Sequence, residues 1–280
     1  MPELPEVQVV VNYLNKNILN KNIKDIKVNL NKLLKNTKPK TLIDSLLNTS
    51  IIKIDRRGKY LIFQFKNNKC LVAHLRMEGK FYYEDASYQS SIHDHLIFSF
   101  DDKTQLIYND TRQFGTFHLF NSWNEAIMST IIKKLGPEPF IEEFNQDYLY
   151  PLLLKSNKYI KTFLLDQTKV VGIGNIYADE ILFASKIHPL TKAKYLSLKD
   201  ANHIVLNTKK ILTASIANNG TTIHTFKFNK WSTGDYQKYL KVHLQKSKPC
   251  PQCKSLINKI KVNGRGTYYC PSCQKEKNKC

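Results

Sequence analysis

The chain has 280 residues, an apolar share of 42% and a formal net charge of +20, from 43 Lys and Arg against 23 Asp and Glu. This length and composition predict a globular protein of two or three compact units. No apolar run approaches the roughly 18–20 residues of a membrane span, and the N-terminus lacks the features of a secretory signal, so we expect a cytoplasmic protein with no membrane partner. The charge indicates a polyanionic partner, nucleic acid first, although abundant Asn, Lys and Ile also accompany an AT-rich genome.

The first predicted element is a helix that begins within the first residues of the chain. Its apolar residues recur at the spacing of one helical face: Val7, Val10, Val11, Leu14 and Ile18. A buried face holds the first turn in place. We therefore expect the residues just ahead of it to be positioned rather than frayed.

Pro2 is a candidate nucleophile, because removal of Met1 would leave it a free secondary amine. An α-amine titrates well below lysine, so part of it is unprotonated near neutral pH. Condensation of such an amine with a sugar C1′ gives an iminium ion that acts as an electron sink. Glu3 and Glu6 are placed to move protons. The alternative interpretation is an ordinary proline and the acidic first turn of a helix.

Short strands dominate from Ile23 onward. Runs rich in β-branched and aromatic residues span 51–55, 60–65, 70–75, 81–83, 96–100, 105–108 and 116–120. Turn signals such as Lys66-Asn67-Asn68 separate several of them. This pattern predicts an antiparallel β-sandwich or barrel, interrupted by a helix over 41–47.

The second half of the chain is predicted to be helical. Leu135-Gly136-Pro137-Glu138-Pro139 ends one helical stretch and suggests a boundary. Helices follow over 144–218, interrupted at Gly172-Ile173-Gly174 and at His188-Pro189. A polar and aromatic stretch over 221–237 has the length of a functional loop. The predicted domains are 1–135, a catalytic β-sandwich, 136–236, a helical DNA-binding domain including that loop, and 237–280, a zinc finger with a basic tail.

Four cysteines near the C-terminus have the spacing of a zinc site. Cys250-x2-Cys253 and Cys270-x2-Cys273 are separated by sixteen residues. Such pairs aim four thiolates at one tetrahedral ion. A site filled by four protein ligands is structural, so we predict one structural Zn²⁺. Cys70 lies in a predicted strand and is expected to be a buried thiol.

Two glycine-containing motifs are candidate phosphate contacts. The predicted zinc hairpin has Gly264-Arg265-Gly266 at its tip, which would expose a guanidinium. Gly172-Ile173-Gly174-Asn175 precedes a helix predicted over 176–186, with Asn175 as its N-cap. An ordinary solvated arginine and an ordinary turn are the alternatives.

Two strand-to-turn junctions place a large apolar residue beside an arginine. They are His74-Leu75-Arg76-Met77-Glu78-Gly79 and Asp110-Thr111-Arg112-Gln113-Phe114-Gly115. Core residues beside surface arginines would explain both. The functional interpretation is a wedge that fills the space left in DNA by a flipped base.

These motifs occur together in one order along the chain. The set is Pro2-Glu3-Leu4-Pro5-Glu6-Val7, Arg57-Gly58-Lys59-Tyr60, the two wedge motifs, Leu135-Gly136-Pro137-Glu138-Pro139, Gly172-Ile173-Gly174-Asn175-Ile176-Tyr177 and the four-cysteine hairpin. Over essentially its whole length the chain closely resembles the bacterial formamidopyrimidine-DNA glycosylases. Endonuclease VIII, a related family, usually has Gly where this chain has Leu4.

The resemblance implies an α+β multidomain fold. It comprises an N-terminal antiparallel β-sandwich with flanking helices, a helical domain with a helix-two-turn-helix and a C-terminal four-cysteine zinc-finger hairpin. It also implies a monomeric, nucleoid-associated repair enzyme that acts on double-stranded DNA containing oxidised purines or abasic sites. Excision of 8-oxoguanine and formamidopyrimidines would be followed by β,δ-elimination at the abasic site.

Carried over by motif, the resemblance implies four catalytic residues. Pro2 is the Schiff-base nucleophile and Glu3 is the general acid/base. Lys59 matches the lysine associated with β-elimination. Arg265 matches the zinc-finger arginine credited with δ-elimination and phosphate contact.

The resemblance also implies a set of DNA contacts. They are His74, Met77, His93, Arg112, Phe114, Lys155 and Asn175. Met77, Arg112 and Phe114 match the wedge, with Arg112 facing the orphaned cytosine. Asn175 matches a phosphate contact, and the stretch Thr221–Gln237 falls where the family has its lesion-recognition loop.

Three departures from the family pattern stand out. Gln8 replaces a residue that is commonly acidic, and Gln113 one that is commonly basic. Asn218-Asn219-Gly220 replaces a more glycine-rich turn, which puts DNA affinity or loop behaviour in question. None of the three touches a carried-over catalytic position.

Two other function classes compete with this interpretation. A non-enzymatic zinc-ribbon DNA-binding protein explains the charge, the cysteines and the wedge but gives no role to a free Pro2. An amino-terminal-proline enzyme acting on small carbonyl compounds leaves the basic charge and the zinc finger without a role.

Overall fold

The computed structural model describes residues 1–221 and 234–277, and the chain forms two compact units. Unit 1 comprises Met1–Lys134 and the described residues of Asn219–Asp235. Unit 2 comprises Leu135–Asn218 and the described residues of Tyr236–Cys280. Most of the predicted lesion-recognition loop, residues 222–233, lies outside the described residues, as does Cys280.

In its described residues, unit 1 contains two four-stranded antiparallel sheets and three α-helices. Its elements are α1 (Leu4–Ile18), β1 (Ile23–Val28), α2 (Pro39–Leu46), β2 (Ile51–Arg57), β3 (Tyr60–Phe65), β4 (Cys70–His74), β5 (Lys80–Glu84), β6 (Asp94–Phe100), β7 (Gln105–Asn109), β8 (Thr116–Phe120) and α3 (Trp123–Met128). One sheet has the strand order β1-β6-β7-β5 and the other β2-β3-β4-β8. Every strand predicted from the sequence is present.

The two sheets pack face to face through an aromatic core. Phe81 on β5 contacts Phe63 on β3, with ring centroids 5.5 Å apart. Tyr108 on β7 meets Phe117 on β8 edge-on at 4.8 Å. Such edge-to-face pairs add to the free energy gained from burial alone. All five apolar residues of the predicted α1 face are buried in the same core.

Unit 2 combines helices with a two-stranded hairpin. Its elements are α4 (Gln146–Leu154), α5 (Ile160–Leu164), α6 (Asn175–Ala184), α7 (Leu198–Ala217), β9 (Asn258–Val262) and β10 (Arg265–Tyr269). Helices α4 and α6 pack against α7. A capping box starts α7, in which the Ser197 hydroxyl accepts from the Asp200 amide and the Asp200 carboxylate accepts from the Ser197 amide.

The hairpin turn is tighter than the sequence suggested. It consists of Asn263 and Gly264 alone, both with positive φ (44° and 78°). Asn-Gly is the preferred pair for this type of two-residue turn. Arg265 and Gly266, which were expected at the tip, are instead the first two residues of β10.

The predicted α+β organisation is confirmed, with paired antiparallel sheets, a helical part and a C-terminal hairpin that carries four cysteines. Among the described residues, none of the helices has both the length and the apolar character needed to cross a membrane.

Candidate active site and nucleic-acid interface

The N-terminal residues of unit 1 are fixed by a capping box. Glu3 is the N-cap of α1, and its side chain accepts from the Glu6 amide. In return, Glu6 Oε2 accepts from the Glu3 amide at 2.8 Å. Pro5 lies in the first turn, where a missing amide hydrogen costs nothing. Pro2, Glu3 and Glu6 are all buried, so the candidate nucleophile adjoins an ordered, carboxylate-rich turn.

Glu6 also joins this turn to a second segment of unit 1. Its Oε1 accepts from the Thr221 amide at 2.8 Å. Gly220 has a φ of +73°, and a Cβ there would lie 3.0 Å from Glu6 Oε1. A Cβ on Gly234 would lie 2.2 Å from the Gly220 carbonyl oxygen. Gly220 and Thr221 therefore lie at the Glu6 carboxylate, and Gly234 lies against Gly220.

Lys59 lies in the turn before β3, and His74 ends the neighbouring strand β4. Lys59 is buried in the tight turn between β2 and β3. The next residue, Tyr60, pairs with His74, and the two rings meet edge-on at 4.7 Å. His74 Nδ1 accepts from the Arg76 amide at 2.9 Å, which requires an unprotonated nitrogen. Burial, followed by the nearby charges of Arg76 and Lys59, lowers the pKa of His74 to about 3, so the ring is neutral.

The candidate wedge residues are large side chains exposed on two loops. Met77 is 40% exposed and Phe114 is 52% exposed. The Arg112 guanidinium lies over the Phe114 ring at 5.0 Å, within the range of a cation–π contact. Solvent-exposed Met and Phe beside a cation suit insertion into a base stack better than a role in the core.

Asp110 holds the backbone of the loop that carries Arg112 and Phe114. Its side chain is fully buried and accepts from the amides of Arg112, Phe114 and Gly115 at 2.9–3.1 Å. The Asp110 amide donates to the carbonyl of His93, whose side chain is half-buried at the start of β6. His93 thus adjoins the wedge loop through the backbone.

In unit 2, the start of α6 is built on a glycine turn. Gly172 has a φ of +93°, and its amide donates to Gln167 Oε1 at 2.9 Å. Gly174, and not Asn175 as expected, is the N-cap. Asn175 is the first helical residue, and its Nδ2 donates to the Gly266 carbonyl at 3.0 Å. This bond ties the helix start to the strand that carries Arg265.

A buried ion pair supports the same strand. Lys161 on α5 and Asp179 on α6 are 2.7 Å apart, with side chains 1% and 0% exposed. Lys161 Nζ also donates to the Gly266 carbonyl and to the Thr267 hydroxyl. The second oxygen of Asp179 accepts from the Tyr268 amide and meets His243 Nδ1 at 2.7 Å. Charged groups so deeply buried are stable only because each has several partners.

Glu180 anchors the chain that leads into the zinc hairpin. Its carboxylate accepts from the amides of Lys241, Val242 and His243 at 2.8–2.9 Å. Burial raises the pKa of Glu180, while these three amides act to lower it.

Two predicted cationic contacts lie at the surface of unit 2. Arg265 is exposed beside the hairpin turn, at the first position of β10. Lys155 is exposed at the C-cap of α4.

The four cysteines fit one zinc ion. Their sulfur atoms all lie within 4.8 Å of one another, with Cys250–Cys273 at 3.9 Å and Cys253–Cys270 at 3.4 Å. A tetrahedron with zinc–sulfur bonds of about 2.3 Å has edges of about 3.8 Å, and a disulfide would need about 2.05 Å. The donor set therefore matches a closed, structural Zn²⁺ site.

The zinc-binding loops are joined to the helices of unit 2. Gln274 is buried, accepts from the Cys270 amide and donates to the Ile187 carbonyl. An apolar cluster covers the site and consists of Phe183, Val242, Cys250, Ile257, Tyr268 and Cys270.

The structure accommodates the three departures from the family pattern. Gln8 accepts from Arg56 Nε at 2.9 Å, so a neutral side chain meets this arginine. Gln113 has a φ of +57° in the wedge loop. Asn219 has a φ of +58° at the end of α7, and Asn is the residue that tolerates this conformation best after Gly.

Several buried groups escaped prediction from the sequence. Lys161 stands among the apolar residues Ile160, Phe163 and Leu164, and a charge in such a stripe was the available signal. Tyr108 and Asp110 close a strand and look like ordinary strand-end residues. Only the fold brings their partners to them.

Family models match three parts of the chain. The formamidopyrimidine-DNA glycosylase N-terminal domain matches residues 1–117, and the formamidopyrimidine-DNA glycosylase H2TH domain matches residues 135–227. The zinc finger found in FPG and IleRS matches residues 247–275.

Whole proteins match over nearly the full chain. The formamidopyrimidine-DNA glycosylase of Ureaplasma parvum serovar 3 is 52% identical over 98% of this chain and 100% of its own. That of Mycoplasma pneumoniae is 51% identical over 98% of this chain and 99% of its own.

Solved structures agree with these matches. A point mutant of the Lactococcus lactis FPG, in complex with a Fapy-dG containing DNA, has a TM-score of 0.93 at 39% identity, over 98% of this chain and 100% of that one. The L. lactis Fpg with an abasic site containing DNA also has a TM-score of 0.93 at 39% identity, with the same coverage. By fold, by sequence and by its four-cysteine zinc site, the chain belongs to the formamidopyrimidine-DNA glycosylase family of DNA-repair enzymes.

Proposed function

We propose that this enzyme flips oxidised purines out of double-stranded DNA and excises them, with 8-oxoguanine and formamidopyrimidines as its substrates. A Schiff base on Pro2 carries the reaction after removal of Met1, and β,δ-elimination then nicks the strand. The observation that carries the proposal is the buried N-terminal turn. There Glu3 and Glu6 form a capping box at the start of α1. These bonds fix the backbone of Glu3, which directly follows Pro2.

The chemistry starts from the lone pair of the Pro2 nitrogen. A bond forms from this nitrogen to C1′ of the damaged nucleotide as the C1′–N9 bond breaks, and the base leaves with a proton. Opening of the sugar ring at O4′ yields an iminium ion, whose positive charge acidifies C2′–H. Loss of that proton expels the 3′ phosphate, and a second elimination expels the 5′ phosphate. Water finally releases the sugar fragment from Pro2.

We assign the proton transfers and the eliminations to three further residues. Glu3 is the general acid/base, because its carboxylate is buried beside Pro2. Lys59, buried at its turn, takes part in β-elimination. Arg265, exposed on β10, contacts phosphate and assists δ-elimination.

We assign the DNA-binding residues two kinds of role. Met77, Arg112 and Phe114 form the wedge, with Arg112 facing the orphaned cytosine. Asn175 contacts a phosphate, and His93 and Lys155 make further contacts to the DNA. His74 acts from a buried position beside Lys59, as a neutral ring. Support comes from the structural neighbours, which include complexes with DNA that contains Fapy-dG, an abasic site or carbocyclic 8-oxo-G.

Zinc stabilises the hairpin that presents Arg265 and takes no part in the bond-breaking steps, because four cysteines fill its coordination sphere. We further propose that the enzyme acts as a monomer on the DNA of the bacterial nucleoid.

Borohydride trapping on duplex DNA with a single 8-oxoguanine tests the proposal. The reagent reduces the iminium ion, so the wild-type protein should give a covalent adduct and Pro2→Gly should give none. Intact and N-terminal mass spectrometry of the same sample checks that Met1 is absent. Glu3→Gln should lose excision while still binding the duplex.

The rival functions predict different outcomes. Tight DNA binding with no adduct in processed wild-type protein would indicate a non-enzymatic zinc-ribbon protein. Turnover of small keto acids without DNA would indicate an amino-terminal-proline enzyme of another class.

A further inference from the structure

Two loops of unit 1 carry the exposed wedge residues, and both close on one buried side chain. Tyr108 is 1% exposed, with its ring edge-on to Phe81 and Phe117 in the aromatic core. Its hydroxyl emerges from that core between the loop that carries Met77 and the loop that carries Phe114.

Two glycines mark the closeness of this approach. A Cβ on Gly79 would lie 2.2 Å from the Tyr108 hydroxyl oxygen, and a Cβ on Gly115 would lie 1.8 Å from it. Neither glycine has a positive φ, so space and not backbone conformation demands a residue without a side chain. The backbones of the two loops therefore hold the hydroxyl between them.

Asp110 completes the arrangement. The Tyr108 hydroxyl donates to Asp110 Oδ2 at 3.2 Å, and the same oxygen accepts from the amides of Phe114 and Gly115, both at 2.9 Å. Asp110 Oδ1 accepts from the Arg112 amide at 3.1 Å. One carboxylate thus fixes the backbone at both candidate wedge residues of this loop.

The first loop is tied to the same centre. The Gly79 amide donates to the Leu75 carbonyl at 3.0 Å, which closes a turn around the exposed Met77. At the surface, the Thr111 hydroxyl donates to the Glu78 carboxylate and joins the loops directly. A shift of the Tyr108 hydroxyl would therefore move both loops.

We propose that Tyr108 and Asp110 are a positioning pair that sets the separation of Met77 from Arg112 and Phe114, and so the ability of the wedge to replace an everted base. Both side chains are buried, so the pair acts through the loops that it holds. The inference rests on the wedge role in the proposed function.

The test uses Tyr108→Phe, which keeps the ring in the core and removes only the hydroxyl. Tyr83→Phe is the matched control, because that hydroxyl lies on β5 of the same unit and accepts from Lys21. Pyrrolo-cytosine opposite 8-oxoguanine reports wedge insertion by stopped-flow fluorescence. Single-turnover excision opposite cytosine and opposite adenine gives the opposite-base preference.

Loss of one buried hydrogen bond corresponds to about a five- to tenfold effect. We expect Tyr108→Phe to slow wedge insertion by that factor. The ratio of the excision rate opposite cytosine to the rate opposite adenine should fall by the same factor. Tyr83→Phe should match wild type in both. A role limited to stability would lower the melting temperature and leave the ratio unchanged.

Asp110→Asn provides a second test of the pair. This variant keeps the shape of the side chain but replaces one acceptor oxygen by a donor group. In a double-mutant cycle on the insertion rate, Tyr108→Phe and Asp110→Asn should be non-additive. Insertion and preference within about twofold of wild type in Tyr108→Phe would overturn the inference. Absence of a borohydride adduct or of any insertion signal in wild type would instead overturn the proposed function.

Discussion

Lys161 and Asp179 form an ion pair that unit 2 buries completely, with Nζ 2.7 Å from Oδ1. Both residues also hold β10, Lys161 through Gly266 and Thr267 and Asp179 through the Tyr268 amide. The strand that presents Arg265 to its surroundings is therefore placed by an ionic contact in the interior.

Lys161→Met should destabilise unit 2 strongly, because it leaves Asp179 buried without its main counter-charge. Breaking a buried pair by removing one partner costs about 3–5 kcal/mol. Hydrogen exchange followed by mass spectrometry should show faster exchange in the β9–β10 peptide. Lys158→Met is the control, since its pair with Asp166 is partly exposed and worth at most about 1 kcal/mol. Equal protection of β10 in the two variants would contradict this role of Lys161.

Glu6→Gln should slow adduct formation by roughly tenfold without unfolding unit 1. The carboxylate accepts from both the Glu3 and the Thr221 amides, whereas an amide side chain offers one oxygen and turns a donor toward the other amide. A lost buried hydrogen bond and an unsatisfied donor together cost about 1–3 kcal/mol. Rates of borohydride trapping on an abasic-site duplex measure the effect.

The control for Glu6 is Gln8→Ala on the same helix. Gln8 bonds to Asn12 and Arg56, away from the capping box. Trapping by Glu6→Gln as fast as by Gln8→Ala would show that the link to Thr221 has no bearing on the reaction.

Unit 1 should lose stability as the pH falls below the ordinary pKa of histidine, because His74 stays neutral in the fold. The pKa of His74 is lowered to about 3, from an ordinary value of 6.5. Between these values the unfolded chain binds a proton that the folded chain excludes, so the free energy of unfolding falls with pH by at most about 1.4 kcal/mol per unit. His74→Gln should abolish this component.

Urea unfolding followed by the fluorescence of Trp123 in unit 1 measures the effect. At about pH 8 the His74 term is absent, which sets the baseline difference between wild type and His74→Gln. At about pH 5 wild type should have lost about 2 kcal/mol more than the variant. Parallel pH profiles for the two proteins would show that His74 takes up a proton in the fold.

Removal of zinc should weaken DNA binding by more than about tenfold, since the hairpin that carries Arg265 depends on the four sulfurs. Chelation and Cys250→Ser should have the same effect on affinity for an abasic-site duplex. Cys70→Ser, a buried thiol on β4, is the control and should keep its zinc. A metal-free protein with undiminished affinity would contradict the prediction.

Local patterns sufficed wherever a single element determines the structure. The period of Val7, Val10 and Leu14 predicted the buried face of α1, because helix geometry alone puts them together. The cysteine spacing predicted the zinc site, because each C-x2-C pair places two sulfur atoms in one tight turn. The predicted roles of Pro2 and Arg265, by contrast, depend on chemistry with DNA and stay predictions.

Contacts between distant segments could not be predicted in this way. Nothing near Lys161 in the sequence indicates that its partners lie on α6 and β10. Likewise, the burial of His74 depends on strands that pair on both sides of β4. The two-residue turn at Asn263-Gly264 is a different case, since the Asn-Gly pair in the sequence is itself the signal for this turn.

Glu180 would make it difficult to replace the zinc hairpin by that of another protein. Three successive backbone amides, from Lys241 to His243, converge on a carboxylate that is 4% exposed. A fragment that ends before these residues would leave that carboxylate buried without those donors. A ribbon grafted from another protein would need the same backbone path, or a different residue at position 180. The segment that leads into the zinc site is therefore structurally integrated with α6, and not an interchangeable module.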